Sequence, residues 1–329
     1  MFGYNWDRID WERLQRLRSL FLDPSSIDGP YWRDDNDLLA YDLTFAARIG
    51  WKWDAVLLEL KRREWQPPST RIYDWGCGTG IATRRLLAAF PDHPWKSVTL
   101  WDHSPLATDF ARKRIEETHP GIDCRIQPPE RIDPDSIVLV SHALGEASEE
   151  DLRILWEQAV TARSVIVVEP GTYDSSRAVI VVRESLRKHF QVVAPCTHRN
   201  ACGLLIEENV RHWCHHFGQP PGEVFMDGNW SRFARTLEID LRSLPYSFIA
   251  LDKRAPQERV DESRFLGRPR LYKGYCRILS CQSSGVHEYE LQKRSDKNLW
   301  KTLKKDRHSG LFHWEMEGDR IVSGREIGA

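Results

Sequence analysis

The fold of this chain is decided by the stretch Asp74-Trp75-Gly76-Cys77-Gly78-Thr79-Gly80. It follows a short run predicted as a strand, Arg71–Asp74, and it precedes a run with helical periodicity, Ile81–Phe90. A glycine loop in this position allows a sharp turn and lets a ligand approach the backbone closely, because no Cβ is in the way. The first turn of the following helix offers unpaired N–H groups to the same ligand. We therefore expect a nucleotide-type ligand beyond the carboxyl end of this strand.

Outward from the loop, predicted strands and helices alternate along the chain. The strands fall at residues 97–101, 123–127, 136–141 and 164–168, and the helices between and after them at 106–118, 149–162 and 175–190. Such alternation predicts a parallel sheet covered by helices on both faces. A helical block, residues 8–65, precedes the sheet and ends at Pro67-Pro68. The predicted fold class is α/β and Rossmann-like, with N-terminal helices.

After residue 190 the regular alternation stops. Residues 191–217 hold three cysteines and four histidines with little periodicity, and residues 264–325 hold short alternating stretches between glycine and serine turns. We interpret those stretches as a small C-terminal antiparallel β module. The predicted organisation is an N-terminal helical region (1–66), a Rossmann-like domain (67–190), a cysteine-rich metal-binding insertion and connector (191–262) and a basic β module (263–329).

Length and composition indicate a globular protein of the cytosol. The 329 residues are 41% hydrophobic and 29% charged, which is ordinary for one or two globular domains. The apolar runs are too short to cross a bilayer, and the N-terminal stretch has no secretory pattern. Seven cysteines are an odd number, and a reducing compartment disfavours a disulfide framework. We therefore expect a cytoplasmic protein without a membrane partner.

A second acidic residue accompanies the glycine loop. Asp102 ends the second predicted strand, where a carboxylate can accept hydrogen bonds from both hydroxyls of a ribose. The loop and Asp102 together resemble the class I methyltransferase family. That resemblance implies S-adenosylmethionine bound by Asp74, Gly76, Gly78, Gly80 and Asp102. A nicotinamide-binding fold is the alternative, but it favours the spacing G-x-G-x-x-G, whereas this loop reads G-x-G-x-G.

The position that carries catalytic residues in many methyltransferases reads Ser141-His142-Ala143-Leu144-Gly145-Glu146 here. Enzymes that methylate exocyclic base nitrogens often have Asn/Asp-Pro-Pro-aromatic at this place, and enzymes that attack a pyrimidine carbon need a thiolate near it. This stretch contains neither. His142 could act as a base, because a histidine titrates near neutrality, but a lone histidine at a strand end more often shapes a ligand site. We therefore assign His142 to the cofactor site and name no catalytic residue.

The second chemical signal is a group of cysteines. Cys196, Cys202 and Cys214 fall within nineteen residues, and Cys276 and Cys281 lie in the β module. Thiolates are soft ligands that favour zinc or iron–sulfur clusters. The spacing C-x5-C-x11-C is looser than the C-x2-C pair of a zinc ribbon and is typical of a site gathered from separate loops. Buried structural cysteines are the alternative, which the histidine-rich surroundings disfavour, so we predict a metal site.

Four motifs occur in one order along the chain. After the glycine loop come Val168-Glu169-Pro170-Gly171-Thr172, Ala194-Pro195-Cys196-Thr197-His198 with Cys202, and Trp213-Cys214-His215-His216-Phe217. Over roughly residues 40–300, this ordered set resembles the methyltransferase-like family of small-ribosomal-subunit assembly factors, which has bacterial and mitochondrial members. The resemblance implies binding to small-subunit ribosomal RNA and a four-iron–four-sulfur cluster on Cys196, Cys202, Cys214 and Cys281. It selects Cys281 over Cys276, because the family's cysteine ends the strand.

Two features keep a zinc site open as the alternative. Thr197 and Gly203 stand where the family usually has proline after the first two cysteines. In addition, histidines beside the cysteines could complete a mixed Cys/His zinc site; they are His198, His215 and His216.

The C-terminal segment is strongly basic. Between Arg264 and His308 it holds twelve Lys or Arg against four Asp or Glu, although the net charge of the whole chain is −1. Such a segment can contact phosphates without reading sequence. Four of its aromatic residues are expected to stack on unpaired RNA bases; they are Tyr272, Tyr275, Tyr289 and Trp300.

Three functions are compatible with these features: an RNA methyltransferase, an RNA-binding assembly factor that uses the cofactor as a structural or sensing ligand, and a methyltransferase for a protein or small molecule. The missing catalytic motif favours the second over the first, and the basic segment disfavours the third. We predict a methyltransferase-like, iron–sulfur-binding protein that acts on small-subunit ribosomal RNA, or on the assembling small ribosomal subunit, in ribosome assembly or translation. The sequence leaves methyl transfer and the oligomeric state undecided.

Overall fold

The computed structural model describes residues 6–23, 31–128, 131–254, 261–305 and 308–328. Its α-helices are α1 (Trp11–Leu22), α2 (Asp35–Leu43), α3 (Phe45–Arg62), α4 (Ile81–Ala89), α5 (Pro105–Thr118), α6 (Glu149–Ala159), α7 (Tyr173–Leu186), α8 (Gly228–Thr236) and α9 (Lys297–Lys305). Its strands are β1 (Arg71–Trp75), β2 (Ser97–Trp101), β3 (Asp123–Ile126), β4 (Ile137–Ser141), β5 (Ser164–Pro170), β6 (Gln191–Ala194), β7 (His216–Phe217), β8 (Pro245–Asp252), β9 (Ser263–Leu271), β10 (Tyr275–Gln282), β11 (Gly285–Gln292), β12 (Leu311–Glu317) and β13 (Arg320–Glu326). Within the described parts of the chain, no helix is both long and apolar enough to span a bilayer.

The chain forms two compact units, each built from separate segments. The first comprises Met1–Leu57, Pro67–Arg163 and Phe217–Leu244. Its sheet has the order β3-β2-β1-β4, and all three strand pairs are parallel. The run Ile137–Val140 in β4 is entirely buried, as expected for a strand of a parallel sheet covered on both faces. Residues of α1 and α2 share a hydrophobic cluster with Trp230 and Phe233 of α8.

The second unit comprises Leu58–Gln66, Ser164–His216 and Pro245–Ala329. Its first part has the strand order β5-β8-β6, in which β8 runs antiparallel to both neighbours. Helix α7 packs against β5 and β8. Parallel strands β3-β2-β1-β4 in the first unit, and strands β5 and β6 on either side of the reversed strand β8 in the second, are an α/β, Rossmann-like arrangement. The predicted fold class, α/β and Rossmann-like with N-terminal helices, is therefore confirmed.

The C-terminal β module is a closed barrel with the strand order β10-β11-β13-β12-β9. Four of its strand pairs are antiparallel, and β11 and β13 run parallel. The barrel core contains Phe265, Ile278 and Phe312, and α9 adds Leu299 and Leu303. The β module predicted from the sequence is confirmed, and the structure adds its closure and its single parallel pair.

Four elements outside the barrel were not predicted from the sequence; they are β6, β7, α8 and β8. Two of them, α8 and β8, lie in residues 218–262, for which no helix or strand was predicted. Every residue of β8 after Pro245 is buried, so the strand lacks the apolar–polar alternation by which half-buried strands are recognised. Each of the two units is assembled from three separate segments of the chain. The division into the regions 1–66, 67–190, 191–262 and 263–329 stays a prediction.

Candidate functional site

The glycine loop joins β1 to α4 in the first unit. Its three glycines have positive φ angles, 64° at Gly76, 50° at Gly78 and 73° at Gly80, a region that costs other residues roughly 1–2 kcal/mol. A Cβ on Gly76 would lie 2.7 Å from the Cβ of Ala143, whereas a Cβ on Gly78 would meet no described atom within 4 Å. Packing inside the protein therefore requires Gly76 to be a glycine, while Gly78 leaves open space beside the loop.

A cavity of about 630 Å³ lies beside this loop, within the first unit. That volume is in the range of small-molecule binding sites. The predicted residues Gly76, Gly78, Asp102 and His142 all line it. Sequence reasoning did not identify the aromatic walls, which are Tyr31, Trp32, Tyr41, Trp75 and Trp101.

Asp102 follows β2 and is held by two backbone donors. Its Oδ2 accepts a hydrogen bond of 2.9 Å from the Gly78 N–H, and its Oδ1 accepts one of 2.9 Å from the Ser104 N–H. Each carboxylate oxygen keeps a further lone pair for a ligand. Burial raises the pKa of Asp102 above its usual value. The carboxylate is thus fixed beside the loop and retains acceptors that suit the two hydroxyls of a ribose.

Asp74 does not line the cavity but supports the loop from within the protein. The side chain is fully buried, and its Oδ2 accepts a hydrogen bond of 2.7 Å from the Thr83 hydroxyl. Its Oδ1 has no hydrogen-bond partner among the described residues, and the same holds for the Thr79 hydroxyl and the Trp75 indole N–H. Burial raises the pKa of Asp74 to about 7. Buried polar atoms without partners are rare, and at a ligand loop they fit partners contributed by a ligand or by water.

We expect the contribution of Asp74 to the stability of the protein to fall as the pH rises toward neutrality, and Asp74→Asn to remove that contribution. An aspartate of the unfolded chain titrates near about pH 4, whereas the pKa of buried Asp74 is raised to about 7. The folded state therefore holds this proton more tightly, so the contribution of Asp74 is complete below about pH 4 and is lost as the pH rises through 7. Melting temperatures of both proteins at about pH 5 and pH 8 check this.

Both proteins are needed for that comparison, because buried histidines act in the opposite direction. Burial holds the pKa of His142 and His216 well below the usual value, so these residues lower the stability on acidification in wild type and variant alike. A wild-type melting temperature that falls no more than that of Asp74→Asn between these two pH values would contradict the prediction.

His142 follows β4 in a strained conformation beside a buried cation. Its φ is +56°, which is uncommon for a residue with a side chain and often occurs at functional sites. The Lys52 Nζ lies 3.2 Å from the His142 Nε2. An ammonium can only donate, so the ring accepts at Nε2 and carries its proton on Nδ1. This arrangement leaves the ring one N–H donor, at Nδ1, and occupies the Nε2 lone pair that a general base would use; the assignment of His142 to the cofactor site stays a prediction.

Cys77 and Cys124 belong to the first unit, whereas the grouped cysteines belong to the second. Burial raises the pKa of Cys77 well above its ordinary value, and burial raises the pKa of Cys124 to about 12. A thiol, not a thiolate, is therefore the form at neutral pH, and neither residue is suited to nucleophilic attack.

The remaining cysteines lie in the second unit, and four of them share one region. Cys281 belongs to a small apolar cluster with Ile180 and Val286, and Cys202 and Cys214 pack against that cluster. Burial raises the pKa of the Cys214 thiol well above its ordinary value, and neighbouring thiols raise it further. Those neighbours are Cys196, Cys202 and Cys281. The structure therefore brings the four predicted ligand residues within electrostatic range of one another.

Cys276 lies on the opposite face of β10 from Cys281. It is buried in the barrel core with Ile278 and Leu291, and burial and the nearby Glu290 raise its pKa to about 11. Five residues separate it from Cys281, and an odd separation places two side chains of a strand on opposite faces.

The ion pair of Arg183 and Glu184 on α7 holds the loop that carries the first two cysteines. The Arg183 Nε donates to the Cys196 Sγ at 3.3 Å, and its Nη2 donates to the Asn200 carbonyl at 2.9 Å. Glu184 accepts a hydrogen bond of 3.2 Å from the Cys202 N–H and pairs with Arg183. Both side chains were missed from the sequence.

A series of buried polar side chains, linked by hydrogen bonds, contacts the third cysteine, Cys214. Glu59 forms two hydrogen bonds with Arg264, at 2.7 and 2.8 Å, and the Arg264 Nη2 lies 3.2 Å from the His216 Nδ1. The His216 Nε2 lies 3.6 Å from the Cys214 Sγ. The His198 Nε2 lies 3.5 Å from the Cys281 Sγ. Nitrogen atoms thus approach three of the four thiols.

The described residues do not form a site for a single metal ion. Within residues 6–23, 31–128, 131–254, 261–305 and 308–328, no three His, Cys, Asp or Glu side chains are gathered closely enough to hold one. His198 and His216 each contact one thiol, and the His215 ring stacks on Trp213 instead. The geometry therefore gives neither zinc nor a cluster by itself.

Comparison with known families identifies the chain. The family model described as "Mitochondrial small ribosomal subunit Rsm22" matches residues 39–312. This chain belongs to the Rsm22 family. The match includes the glycine loop, Asp102, His142 and all four grouped cysteines, and it agrees with the family resemblance predicted from the ordered motifs.

Curated relatives of this Rsm22-family chain are methyltransferases of small molecules by name. Trans-aconitate 2-methyltransferase from Mycobacterium ulcerans is 32% identical over 114 residues, which cover 34% of this chain and 41% of that protein. The enzyme of the same name from Mycolicibacterium gilvum is 34% identical over 142 residues, which cover 42% of this chain and 51% of that protein. The chain thus spans about half or less of the length of these relatives.

A solved methyltransferase structure is similar at low sequence identity. Magnesium protoporphyrin IX methyltransferase from Synechocystis PCC 6803 has a TM-score of 0.39 and 12% identity with the chain. The similarity covers 77% of this chain and 94% of that protein.

Proposed function

We propose that this chain is a methyltransferase-like, iron–sulfur-binding protein that binds S-adenosylmethionine and acts on small-subunit ribosomal RNA in ribosome assembly or translation. The observation that carries the proposal is the extent of the family match, residues 39–312, because it includes both the cofactor loop and the four grouped cysteines. The family's description names the mitochondrial small ribosomal subunit. The cytoplasmic location predicted from composition stays a prediction.

The residues beside the glycine loop fit S-adenosylmethionine. Gly78 leaves open space where a Cβ would stand, and Asp102 keeps acceptors for the ribose hydroxyls. Aromatic walls, including Trp75 and Trp101 stacked at 5.1 Å, suit a planar adenine. Asp74, Gly76 and Gly80 shape the loop from the protein side, and His142 offers an N–H to the ligand. When bound, the cofactor would supply an electrophilic methyl group.

We expect Asp102→Ala to weaken S-adenosylhomocysteine binding by about tenfold to a hundredfold. Losing a charged hydrogen-bond acceptor costs roughly 1–3 kcal/mol, and the Gly78 N–H also loses its partner. Asp102→Asn is the matched control, because its one carbonyl oxygen can satisfy one acceptor position, so it should fall between wild type and Asp102→Ala. Titration calorimetry measures all three; equal affinities would remove Asp102 from the cofactor site.

The iron–sulfur cluster is proposed at the cysteine group because the family resemblance implies it there. The four thiols lie near one another in the second unit, and thiolates are the ligands that iron–sulfur clusters take. The ligands would be Cys196, Cys202, Cys214 and Cys281, with Arg183 and His216 as nitrogen neighbours of the sulfurs. When bound, the cluster would contribute folding energy to the second unit.

The proposed RNA contact can be tested by measuring how RNA affinity depends on salt when the lysines of helix α9 are replaced. This helix buries Leu299, Trp300 and Leu303 in the barrel and exposes four lysines, Lys297, Lys301, Lys304 and Lys305. Bound lysines release counterions from phosphates, so affinity for a small-subunit ribosomal RNA fragment should fall steeply with salt. Reversing all four charges should reduce the slope of log K against log salt by roughly three. Filter binding at several salt concentrations measures it, and an unchanged slope would show that α9 is not the contact.

Methyl transfer to RNA remains one of two uses of the cofactor in this proposal. The stretch after β4 lacks the catalytic motifs named above, and the proton position argued for His142 disfavours a general base there. A structural or sensing role for the bound cofactor is therefore favoured over catalysis. Methylation of a small molecule is the second candidate function, because the match to a trans-aconitate 2-methyltransferase covers 34% of this chain. Transfer of a labelled methyl group from the cofactor to trans-aconitate would distinguish this function from the RNA function.

A further inference from the structure

The C-terminal barrel has the topology of an OB-fold. If β9 to β13 are counted as the first to fifth strands, the barrel closes in the order first, second, third, fifth, fourth. The third and fifth strands, β11 and β13, run parallel. Helix α9 lies between the third and fourth strands along the chain. Barrels of this kind bind oligonucleotides or oligosaccharides on the outer face of their second and third strands and on the adjacent loops.

In this chain, protein already covers part of that outer face. Leu279 and Cys281 of β10 and Val286 of β11 pack with Ile180 and Leu204. Hydrogen bonds fix the covering loop in place, from the Asn200 side chain to the Ser283 carbonyl at 2.9 Å and from the Asn209 side chain to the Val286 carbonyl at 3.4 Å. A ligand of the barrel therefore has to use a part of the surface that the cysteine loop does not cover.

The turn between β9 and β10 offers such a surface. The Tyr272 and Tyr275 rings stack with centroids 4.7 Å apart and planes 7° from parallel. The Tyr272 N–H donates to the Tyr275 carbonyl at 2.9 Å, which closes the turn. Tyr272 is 44% exposed, and the neighbouring Leu271 is 48% exposed. One face of the Tyr272 ring is thus supported by a second aromatic ring, and the side chain remains open to solvent.

Positive charge surrounds this tyrosine pair. Arg268, Arg270 and Lys273 flank the turn, and no acid occurs between residues 268 and 277. The Lys293 N–H donates to the Gly274 carbonyl at 3.0 Å, which brings Lys293 and its neighbour Arg294 to the same turn. The acidic neighbours on β11 are Glu288, which pairs with Arg270 and Arg277, and Glu290, which lies opposite Arg277 in the strand pairing. Lys273, Lys293 and Arg294 are exposed.

We propose that the β9–β10 turn is a binding site for single-stranded RNA, in which an unpaired base stacks on Tyr272 and the adjacent phosphates contact Lys273 and Lys293. Every base has a flat apolar face, so aromatic stacking tolerates any sequence. A paired base is stacked within its own helix and cannot reach the ring, so the site discriminates against duplex RNA. This inference rests on the proposed RNA function and adds the RNA class and the residues.

The tyrosine variants test the stacking. With a labelled single-stranded RNA of about 12 nucleotides, which is within the site size of one OB-fold, Tyr272→Ala should raise the Kd roughly fivefold to a hundredfold with an unchanged salt slope. Tyr272→Phe keeps the ring and should bind within about twofold of wild type. Phe225→Ala removes another exposed aromatic side chain, 52% exposed in the first unit, and should change nothing. Fluorescence anisotropy measures all four proteins.

The charge variant and the duplex complete the design. Lys273→Glu combined with Lys293→Glu should reduce the salt slope by about one to two, and the same RNA in duplex form should bind more weakly than the single strand. A Tyr272→Ala protein that binds single-stranded RNA like wild type, or a preference for the duplex, would overturn the inference. Wild-type protein that binds neither RNA at low salt would instead overturn the proposed RNA function itself.

Discussion

Replacing Cys281 with serine is expected to abolish the broad visible absorption of an iron–sulfur cluster in anaerobically purified protein, and Cys276→Ser is expected to leave it intact. Cys281 packs in the apolar cluster that Cys202 and Cys214 also contact, whereas Cys276 is buried in the barrel core. Cys196→Ser, Cys202→Ser and Cys214→Ser should behave like Cys281→Ser. These ligand variants should also be less soluble, because a structural metal contributes folding energy.

The pair Cys276→Ser and Cys281→Ser is matched, because both side chains are buried and lie on the same strand. A serine in either place pays a similar cost of burying a hydroxyl, so circular dichroism should show comparable folding in both. Loss of the absorption in Cys276→Ser with its retention in Cys281→Ser would contradict the ligand assignment.

The second large effect is expected at the glycine loop, where Gly78→Leu should abolish detectable binding of S-adenosylhomocysteine up to roughly millimolar ligand. A Cβ on Gly78 would meet no described protein atom within 4 Å, so we expect a leucine side chain to extend into the space that the ligand requires. The positive φ of 50° adds backbone strain of about 1–2 kcal/mol. The variant should therefore remain folded while it loses the ligand.

Gly121→Leu is the control for that strain. Gly121 also has a positive φ, 98°, and a Cβ there would likewise meet no described atom within 4 Å, but the residue does not line the cavity. It should bind the ligand like wild type. Gly76→Ala should destabilise the fold, because its Cβ would lie 2.7 Å from that of Ala143. Calorimetry and thermal melting separate these three behaviours; ligand binding by Gly78→Leu at wild-type affinity would exclude the loop as the cofactor site.

The sheet could be predicted from the sequence wherever local periodicity matches the final burial. The strand predicted at 97–101 has the observed bounds Ser97–Trp101, and the predicted helix 106–118 differs from Pro105–Thr118 by one residue. Helix α5 begins with Ser104 as its cap and proline in its first turn, which are local signals. Strand β8 carries no such signal, because its buried run and its antiparallel pairing with β5 and β6 depend on chain segments far away in sequence.

The cofactor site was more predictable than its surroundings. Glycines and Asp102 occupy fixed positions after two strands, so their roles follow from short segments. The contact of Lys52 with His142 joins residues ninety positions apart, and no local pattern predicts it. A buried role for Arg183 could have been predicted from the sequence, because this residue lies on the apolar face of α7 with Val179 and Ile180. A charged residue on a buried stripe requires a partner, and Glu184 and the Cys196 loop provide it.

The aromatic residues of the basic segment show that composition alone does not predict which side chains are exposed. Four of them were expected to stack on RNA, but Tyr289 and Trp300 are buried in the barrel core, so that expectation is wrong for these two. Tyr272 and Tyr275 remain at the β9–β10 turn. Closure of the barrel decides which rings face inward, and the closing pair of β9 with β12 joins residues more than forty positions apart.

Iron and acid-labile sulfide in anaerobically purified wild-type protein are the most direct measurement of the proposed function, because an iron–sulfur cluster on the four grouped cysteines is its central claim. We expect about four iron and about four sulfide per chain, the content of one [4Fe–4S] cluster. That content should be lost in Cys281→Ser and kept in Cys276→Ser. About one zinc per chain with no sulfide would contradict the cluster and leave a mixed Cys/His zinc site in its place.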